Sequence, residues 1–208
     1  MTIDIARLVG AVSRELITRE HEGKPARVLA ASRTYDTTIE DLWDAMTNPT
    51  RLERWFLPVS GDLRLGGRYQ LEGNAGGEIT ACDPPRDLAL TWEIGGQTSW
   101  VVVRLQRERQ ATRLRLEHIA HVPDDFWNRY GPGAAGVGWE HGLFGLDLHV
   151  ACDPISPKEA EAWLATQAGR SFTSRISEGW CEASIRAGTD EAAARSAAEA
   201  TTSFYTEG

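Results

Sequence analysis

The residues in this sequence best suited to chemistry are one histidine and two carboxylates. His118 ends the row Leu114, Leu116 and His118, in which every second residue faces the same side of a strand. Glu140 and Asp147 lie seven residues apart, so on a helix they share one face. A carboxylate facing the sheet could pair with His118 as an acid–base couple. If both carboxylates face water instead, they form a solvated edge. His118 by itself is either a histidine hydrogen-bonded within the core or a polar anchor for a ligand.

Other signatures of catalysis or metal binding are absent from the sequence. It contains no GxSxG, no HExxH and no phosphate-binding glycine loop, and the glycine-rich stretch 73–77 lies between strands, where it predicts a hairpin turn. His118 and His121 are three apart on a strand, so they face opposite sides and could not hold one ion without a bulge. We therefore expect no metal and no cofactor. The cysteines, which show no CxxC spacing, are Cys82, Cys152 and Cys181.

The composition excludes several classes of partner. The chain has 208 residues and a formal charge of −8, from 22 basic and 30 acidic residues, and its only lysines are Lys24 and Lys158. Phosphate binding needs concentrated Lys and Arg, so neither nucleic acid nor an anionic membrane is an expected partner. No apolar run approaches the ~20 residues that span a bilayer, and the N-terminus lacks the features of a signal peptide. The expected location is cytoplasmic. Eight tryptophans predict a large core or a lined pocket.

Short strands and one long helix would position the candidate residues. A strand over 26–36, and a hairpin over 11–36 if residues 11–20 are also extended, precede a helix capped by Thr37 or Thr38 and a shorter helix over 50–56. Closely spaced turns then separate the remaining strands, which implies antiparallel pairing. The alternation of apolar and polar residues along these strands gives the sheet one buried face and one solvent-exposed face. These strands are predicted at 68–73, 77–82, 88–94, 99–107 and 112–121.

The segment 131–150 is rich in glycine and nevertheless apolar. Its residues Trp139, Leu143, Leu146 and Val150 form a helical stripe. Each glycine inside a helix costs about 1 kcal/mol relative to alanine, so this helix needs compensating packing or a close approach that only small residues permit. Both conditions fit a helix laid across a concave sheet. Three further helices are predicted beyond it, at 157–167, 171–187 and 190–204.

Several motifs follow one another in an order that is typical of a known superfamily. They are RTYDTTIEDLWDAMTNPTRLERWFLP (33–58), LGGRYQL (65–71), GEITACDPPRDLALTWEI (77–94), TRLRLEH (112–118) and GVGWEHGL (136–143). Together they resemble the SRPBCC superfamily of START, polyketide cyclase and birch-pollen-allergen-like proteins, and within it the group similar to the activator of the heat-shock-protein-90 ATPase. The resemblance covers roughly residues 26–150. It implies an α+β helix-grip fold, a curved antiparallel sheet wrapped on a long C-terminal helix.

The predicted organisation is a ligand-binding domain over residues 1–152 and a helical extension over 153–208. We expect the extension to pack on the domain or on a second copy of the chain, so that a homodimer is one predicted assembly.

The resemblance implies three alternative functions. The first is binding of a small hydrophobic or amphipathic molecule between sheet and helix, in a cavity of several hundred Å3 with few polar groups. The second is an enzyme, a cyclase, aromatase or hydrolase of polyketide-like compounds, which requires the His118–carboxylate couple. The third is a co-chaperone or stress-related interaction module. Trp55 and Trp139 occupy family positions that face the pocket, and the full predicted lining is Trp43, Trp55, Trp92, Trp100, Leu116, His118, Trp139, Glu140, Leu143 and Asp147.

Overall fold

A computed structural model describes residues 4–151 and 156–207, which leaves Cys152 outside the described residues. Its centre is one eight-stranded antiparallel sheet in the order β1-β2-β8-β7-β6-β5-β4-β3. The strands are β1 Ser13–His21, β2 Lys24–Tyr35, β3 Val59–Gly61, β4 Arg68–Leu71, β5 Gly76–Asp83, β6 Asp87–Ile94, β7 Gln97–Glu108 and β8 Ala111–Ala120. The helices are α1 Ile5–Gly10, α2 Ile39–Thr47, α3 Pro49–Leu52, α4 Asp124–Tyr130, α5 Gly133–Val150, α6 Pro157–Leu164, α7 Gln167–Arg186 and α8 Glu191–Thr206. This is the helix-grip α+β fold that the motifs predicted.

The N-terminal hairpin settles the ambiguous segment 11–20 as a strand. Glu22 and Gly23 both have positive φ, 48° and 72°, as a two-residue hairpin turn requires. The partner strand β2 also pairs with β8, which places Leu29 opposite His118. The second and last strands of the predicted domain are thereby neighbours, and β1 lies at the edge of the sheet.

The two helices after β2 begin and end where their polar side chains predict. Thr38 caps α2 by accepting a hydrogen bond from the Asp41 amide at 3.2 Å. Asn48 ends α2 and caps α3, whose first residue is Pro49. The second helix is shorter than predicted: α3 ends at Leu52, residues 53–55 continue as turns, and residue 56 is a bend.

The glycines of α5 are sites of close approach, as the sequence predicted. A Cβ on Gly136 would lie 2.4 Å from Cε2 of Trp180 on α7, and one on Gly145 would lie 2.7 Å from the Trp55 carbonyl oxygen. Gly142 differs, because its Cβ would meet only the Phe56 ring at 3.6 Å, an ordinary contact. Two of these glycines therefore let α5 sit closer to its neighbours than alanine would allow.

The outer face of the sheet is less exposed to solvent than the alternation of apolar and polar residues along its strands suggests. Glu117 is only 4% exposed, because it lies among three arginines. Beside it, Ala26, Val28 and Ile119 form a small apolar cluster. The arginines around Glu117 are Arg19, Arg104 and Arg115.

The C-terminal helices pack on the same chain. Phe172, Ile176 and Trp180 of α7 belong to the core that also contains the inner face of the sheet and α5. Helix α8 is anchored by two hydroxyls: Thr201 Oγ1 donates to the Tyr130 carbonyl oxygen, and Tyr205 OH donates to that of Ala134. The extension therefore finds a packing surface within one chain, and the homodimer stays a prediction.

We expect the glycines of α5 to separate into two classes when each is changed to alanine. Gly136→Ala places a methyl group against the Trp180 ring and should lower the free energy of unfolding by about 1–3 kcal/mol, as overpacking does. Gly142→Ala meets no obstacle and should raise it by up to about 1 kcal/mol through helix propensity. Urea unfolding followed by circular dichroism measures both values. Equal effects of the two substitutions would contradict the assigned contacts.

Candidate functional site: an apolar cavity under the long helix

A cavity of about 190 Å3 lies between α5 and the inner face of the sheet. Its roof is formed by one side of α5, namely Trp139, Gly142, Leu143 and Leu146. The end of α2 and the residues around α3 close one side, and β4 to β8 form the floor. The floor residues face inward because they alternate along their strands, and among them are Tyr69, Leu71, Leu88, Leu90, Val103 and Leu114.

The cavity reaches the surface beside the β3–β4 loop. Leu63 lines it and is 39% exposed, and Cys82 on β5 lines it and is also exposed. Sequence reasoning missed Leu63 because the loop carries no periodic pattern, and it missed Cys82 because a register shift between Ile79 and Ala81 interrupts the alternation of β5. It also missed Tyr69 and Leu71, although alternation in RYQL could have identified them.

The few polar groups in the cavity wall already donate their hydrogens to backbone carbonyls. Thr47 Oγ1 donates to Trp43 at 2.8 Å, and Tyr69 OH donates to Thr91 at 2.7 Å. The indole N–H of Trp55 donates to Ala45 at 2.9 Å. The surface offered to a ligand by these residues is therefore apolar, with acceptor lone pairs on two hydroxyls.

Five of the residues predicted to line a pocket do lie in this wall: Trp55, Trp92, Leu116, Trp139 and Leu143. Trp92 and Trp139 contact each other across the cavity end, with ring centroids 4.8 Å apart. Trp43 lies elsewhere, packed against the main core and partly buried.

The expected position of Trp100 is corrected. It pairs with Thr91 and Ile119, so the strand alternation turns it to the outer face of the sheet. There it packs on the Val28–Ile119 cluster, with the rings of His21 and His121 at 4.3 Å and 5.3 Å. The prediction of Trp100 as pocket lining was wrong because Val101 and Val103, one residue out of phase with it, occupy the inner face.

His118 points inward, one step beyond Leu116 on β8. Its Nε2 lies 2.8 Å from Ser99 Oγ, and its ring meets Trp139 edge-on at 5.7 Å. Burial lowers the pKa of His118 to about 4, so the imidazole is neutral at pH 7. His118 itself does not line the cavity, but Leu116, Val101 and Trp139 around it do.

The two carboxylates of α5 neither pair with His118 nor form a solvated edge. Glu140 is 3% exposed and accepts two hydrogen bonds from Arg14 on β1, at 2.7 and 2.5 Å. Asp147 lies 2.6 Å from Arg33 on β2, whose side chain is 3% exposed. Burial raises the pKa of Glu140 in spite of the lowering effect of Arg14. Because α5 turns this face towards β1 and β2, the acid–base couple expected from the sequence is not formed.

The described residues contain neither a metal-binding cluster nor a membrane-spanning helix. No group of three or more His, Cys, Asp or Glu side chains in residues 4–151 and 156–207 is arranged to hold a metal ion. Within the same ranges, no helix is both long and apolar enough to cross a membrane.

A curved antiparallel sheet gripping a long helix over an apolar cavity defines a protein of the SRPBCC class. The chain belongs to the family described as "Activator of Hsp90 ATPase homolog 1-like protein", which matches residues 36–150. The match covers the domain from the end of β2 to the end of α5, as the sequence motifs indicated. No curated protein was found to match the chain.

Solved structures extend the similarity to the C-terminal helices. CalU16 from Micromonospora echinospora is 31% identical in its solution structure, with a TM-score of 0.72 over 86% of this chain and 97% of that one. Its crystal structure gives 32% identity and a TM-score of 0.67 over 83% and 98%. MLL2253 from Mesorhizobium loti, at 24% identity and a TM-score of 0.55, shares the fold over 62% of this chain and all of its own length.

The buried pair Arg14–Glu140 should be costly to break on one side only. Arg14→Met leaves the Glu140 carboxylate buried without its partner, so we expect a loss of about 3–5 kcal/mol in the free energy of unfolding. The double variant Arg14→Met/Glu140→Leu removes both charges and should lose less than Arg14→Met alone. Denaturant unfolding measures the cycle. Arg68→Met, at the exposed pair with Glu93, is the control and should change little. A double variant less stable than Arg14→Met would contradict the assignment.

The buried His118 should make the protein less stable in mild acid. Its pKa of about 4 in the folded chain lies below the ordinary 6.5, so only the unfolded chain takes up a proton as the pH falls from 6.5 towards 4. Between pH 7 and pH 5, His118 should remove about 2 kcal/mol from the free energy of unfolding, and His118→Gln should lack this loss. Urea unfolding at pH 7, 6 and 5 compares the two proteins. Burial also lowers the pKa of His141 to about 4. Because His141 is present in both proteins, its contribution cancels in the comparison. Parallel pH profiles would show that His118 is not the titrating group.

Proposed function

We propose that the protein binds a small hydrophobic or amphipathic molecule in the cavity between α5 and the sheet. The observation that supports this most is the wall itself, an enclosure of aliphatic and aromatic side chains with an exposed mouth at Leu63 and Cys82. Ligand sites in proteins are typically concave, apolar and equipped with a few polar groups.

The cavity size limits the ligand. An engineered cavity of about 150 Å3 lined by aliphatic and aromatic residues binds benzene. The present cavity, about 190 Å3, is smaller than the several hundred Å3 that the sequence led us to expect. Without rearrangement of its walls, it suits a molecule with one or two rings, or a short branched chain.

The two other functions stay hypotheses. The enzyme hypothesis loses the only catalytic couple that the sequence offered, since Glu140 and Asp147 are bound to Arg14 and Arg33. The interaction-module hypothesis depends on the family description alone. The binding hypothesis is favoured because it uses a feature built by the residues of this chain.

The proposal predicts that naphthalene, a rigid two-ring hydrocarbon, binds the purified protein. Three tryptophans, Trp55, Trp92 and Trp139, line the cavity, so binding should change the intrinsic fluorescence, and calorimetry gives the dissociation constant. Gly142→Leu adds a side chain to the roof of the cavity, where the glycine has room, and should weaken binding at least tenfold.

Gly10→Leu is the matched control for this test. It adds the same side chain at an exposed glycine with nothing near its Cβ, and should leave naphthalene binding unchanged. Native mass spectrometry of the protein as purified would complement the titration by giving the mass of any retained molecule. Equal naphthalene affinity in the wild type and both variants would place the binding outside this cavity and refute the proposal.

A further inference from the structure

The polar atoms in and beside the cavity wall favour one kind of ligand group. The hydroxyl hydrogens of Thr47 and Tyr69 and the indole hydrogen of Trp55 are all donated to backbone carbonyls. What these hydroxyls can still offer is a lone pair. A ligand that presents a hydrogen-bond donor therefore suits this cavity wall better than a ligand that presents only acceptors.

The protonation of His118 follows from its partner Ser99. Ser99 Oγ donates to the Trp92 carbonyl oxygen at 3.1 Å and lies 2.8 Å from His118 Nε2. A hydroxyl has one hydrogen and a carbonyl can only accept, so Ser99 must accept the hydrogen bond from Nε2. The neutral ring of His118 therefore carries its proton on Nε2, and Nδ1 bears a lone pair.

That lone pair is buried and unused. No group in the described ranges 4–151 and 156–207 donates a hydrogen bond to Nδ1 of His118, although the atom is shielded from solvent. A buried acceptor without a partner costs free energy, which a donor from a ligand would recover. The surrounding residues connect His118 to the cavity: Val101 lies opposite it in the sheet, and Trp139 contacts its ring, and both line the cavity.

We propose that the ligand is an apolar molecule carrying a hydroxyl group, an alcohol or a phenol, whose hydrogen is accepted by Nδ1 of His118. His118 does not line the cavity, so Trp139, which contacts the His118 ring and lines the cavity, must turn aside to admit that end of the ligand. This inference rests on the proposed function and defines the chemical class of the molecule that the cavity takes. His118 then selects the ligand, and the aliphatic wall supplies most of the affinity.

The test compares 1-naphthol with 1-methoxynaphthalene, which has nearly the same shape and lacks the donor. Calorimetry with the full chain at pH 7 gives both dissociation constants. We expect 1-naphthol to bind the wild type about three- to tenfold more tightly, the usual worth of one hydrogen bond. In His118→Gln, which keeps a donor towards Ser99 and loses the acceptor at the Nδ1 position, the two probes should bind equally.

Three further variants decide between acceptors. His118→Phe keeps a ring against Trp139 and should also abolish the preference for 1-naphthol. Thr47→Val and Tyr69→Phe each remove another candidate acceptor, and both should retain the preference. Circular dichroism confirms that each variant is folded before it is titrated.

Each result has a separate meaning for the two proposals. Equal binding of both probes to the wild type would overturn the hydroxyl assignment and leave the apolar cavity intact. A preference lost in Thr47→Val and kept in His118→Gln would overturn the role of His118. Binding of neither probe would refute the proposed function and this inference together.

Discussion

The structure depends on how closely α5 approaches its neighbours. The helix lies across the sheet with Trp180 of α7 on one side and the Trp55 backbone on the other, and at both contacts a Cβ would be too near. Glycine removes that obstacle at a cost of about 1 kcal/mol per position, and the buried aromatic packing offsets the cost. A more distant α5 would leave the cavity roof open and separate the C-terminal helices from the core.

The rotation of α5 about its own axis is fixed by buried charges. Arg14 and Arg33 on β1 and β2 hold Glu140 and Asp147, which are seven residues and therefore two turns apart. With this face directed to the first two strands, Trp139, Leu143 and Leu146 must face the cavity. Charged pairs are costly to bury, so we infer that these two contribute mainly by specifying one orientation of α5 among several apolar alternatives.

The chemistry available at the cavity follows from the same arrangement. The carboxylates that could have acted on a substrate are bound to arginines, and the hydroxyl hydrogens in the wall are bound to carbonyls. Beside the cavity, next to Trp139, Nδ1 of His118 is a buried acceptor without a hydrogen-bond partner among the described residues. An apolar wall with one acceptor beside it is the arrangement on which the proposed binding of a hydroxylated apolar molecule rests.

By itself the sequence determined the fold and a small part of the cavity floor. Alternation in 88–94 and 112–118 identified Trp92, Leu116 and the inward His118, and the glycine-rich helix predicted its own close packing, because these features depend on local periodicity and residue size. Only the tertiary structure decided where Glu140, Asp147 and Trp100 lie. The helical period of 3.6 residues shows that Glu140 and Asp147 share a face of α5. It does not show whether that face meets His118 or the arginines of a hairpin more than a hundred residues earlier in the chain. Likewise, the alternation along β7 shows that Trp100 and Val101 point to opposite faces of the sheet. Only the packing of α5 on the face of Val101 shows that the cavity lies on that side.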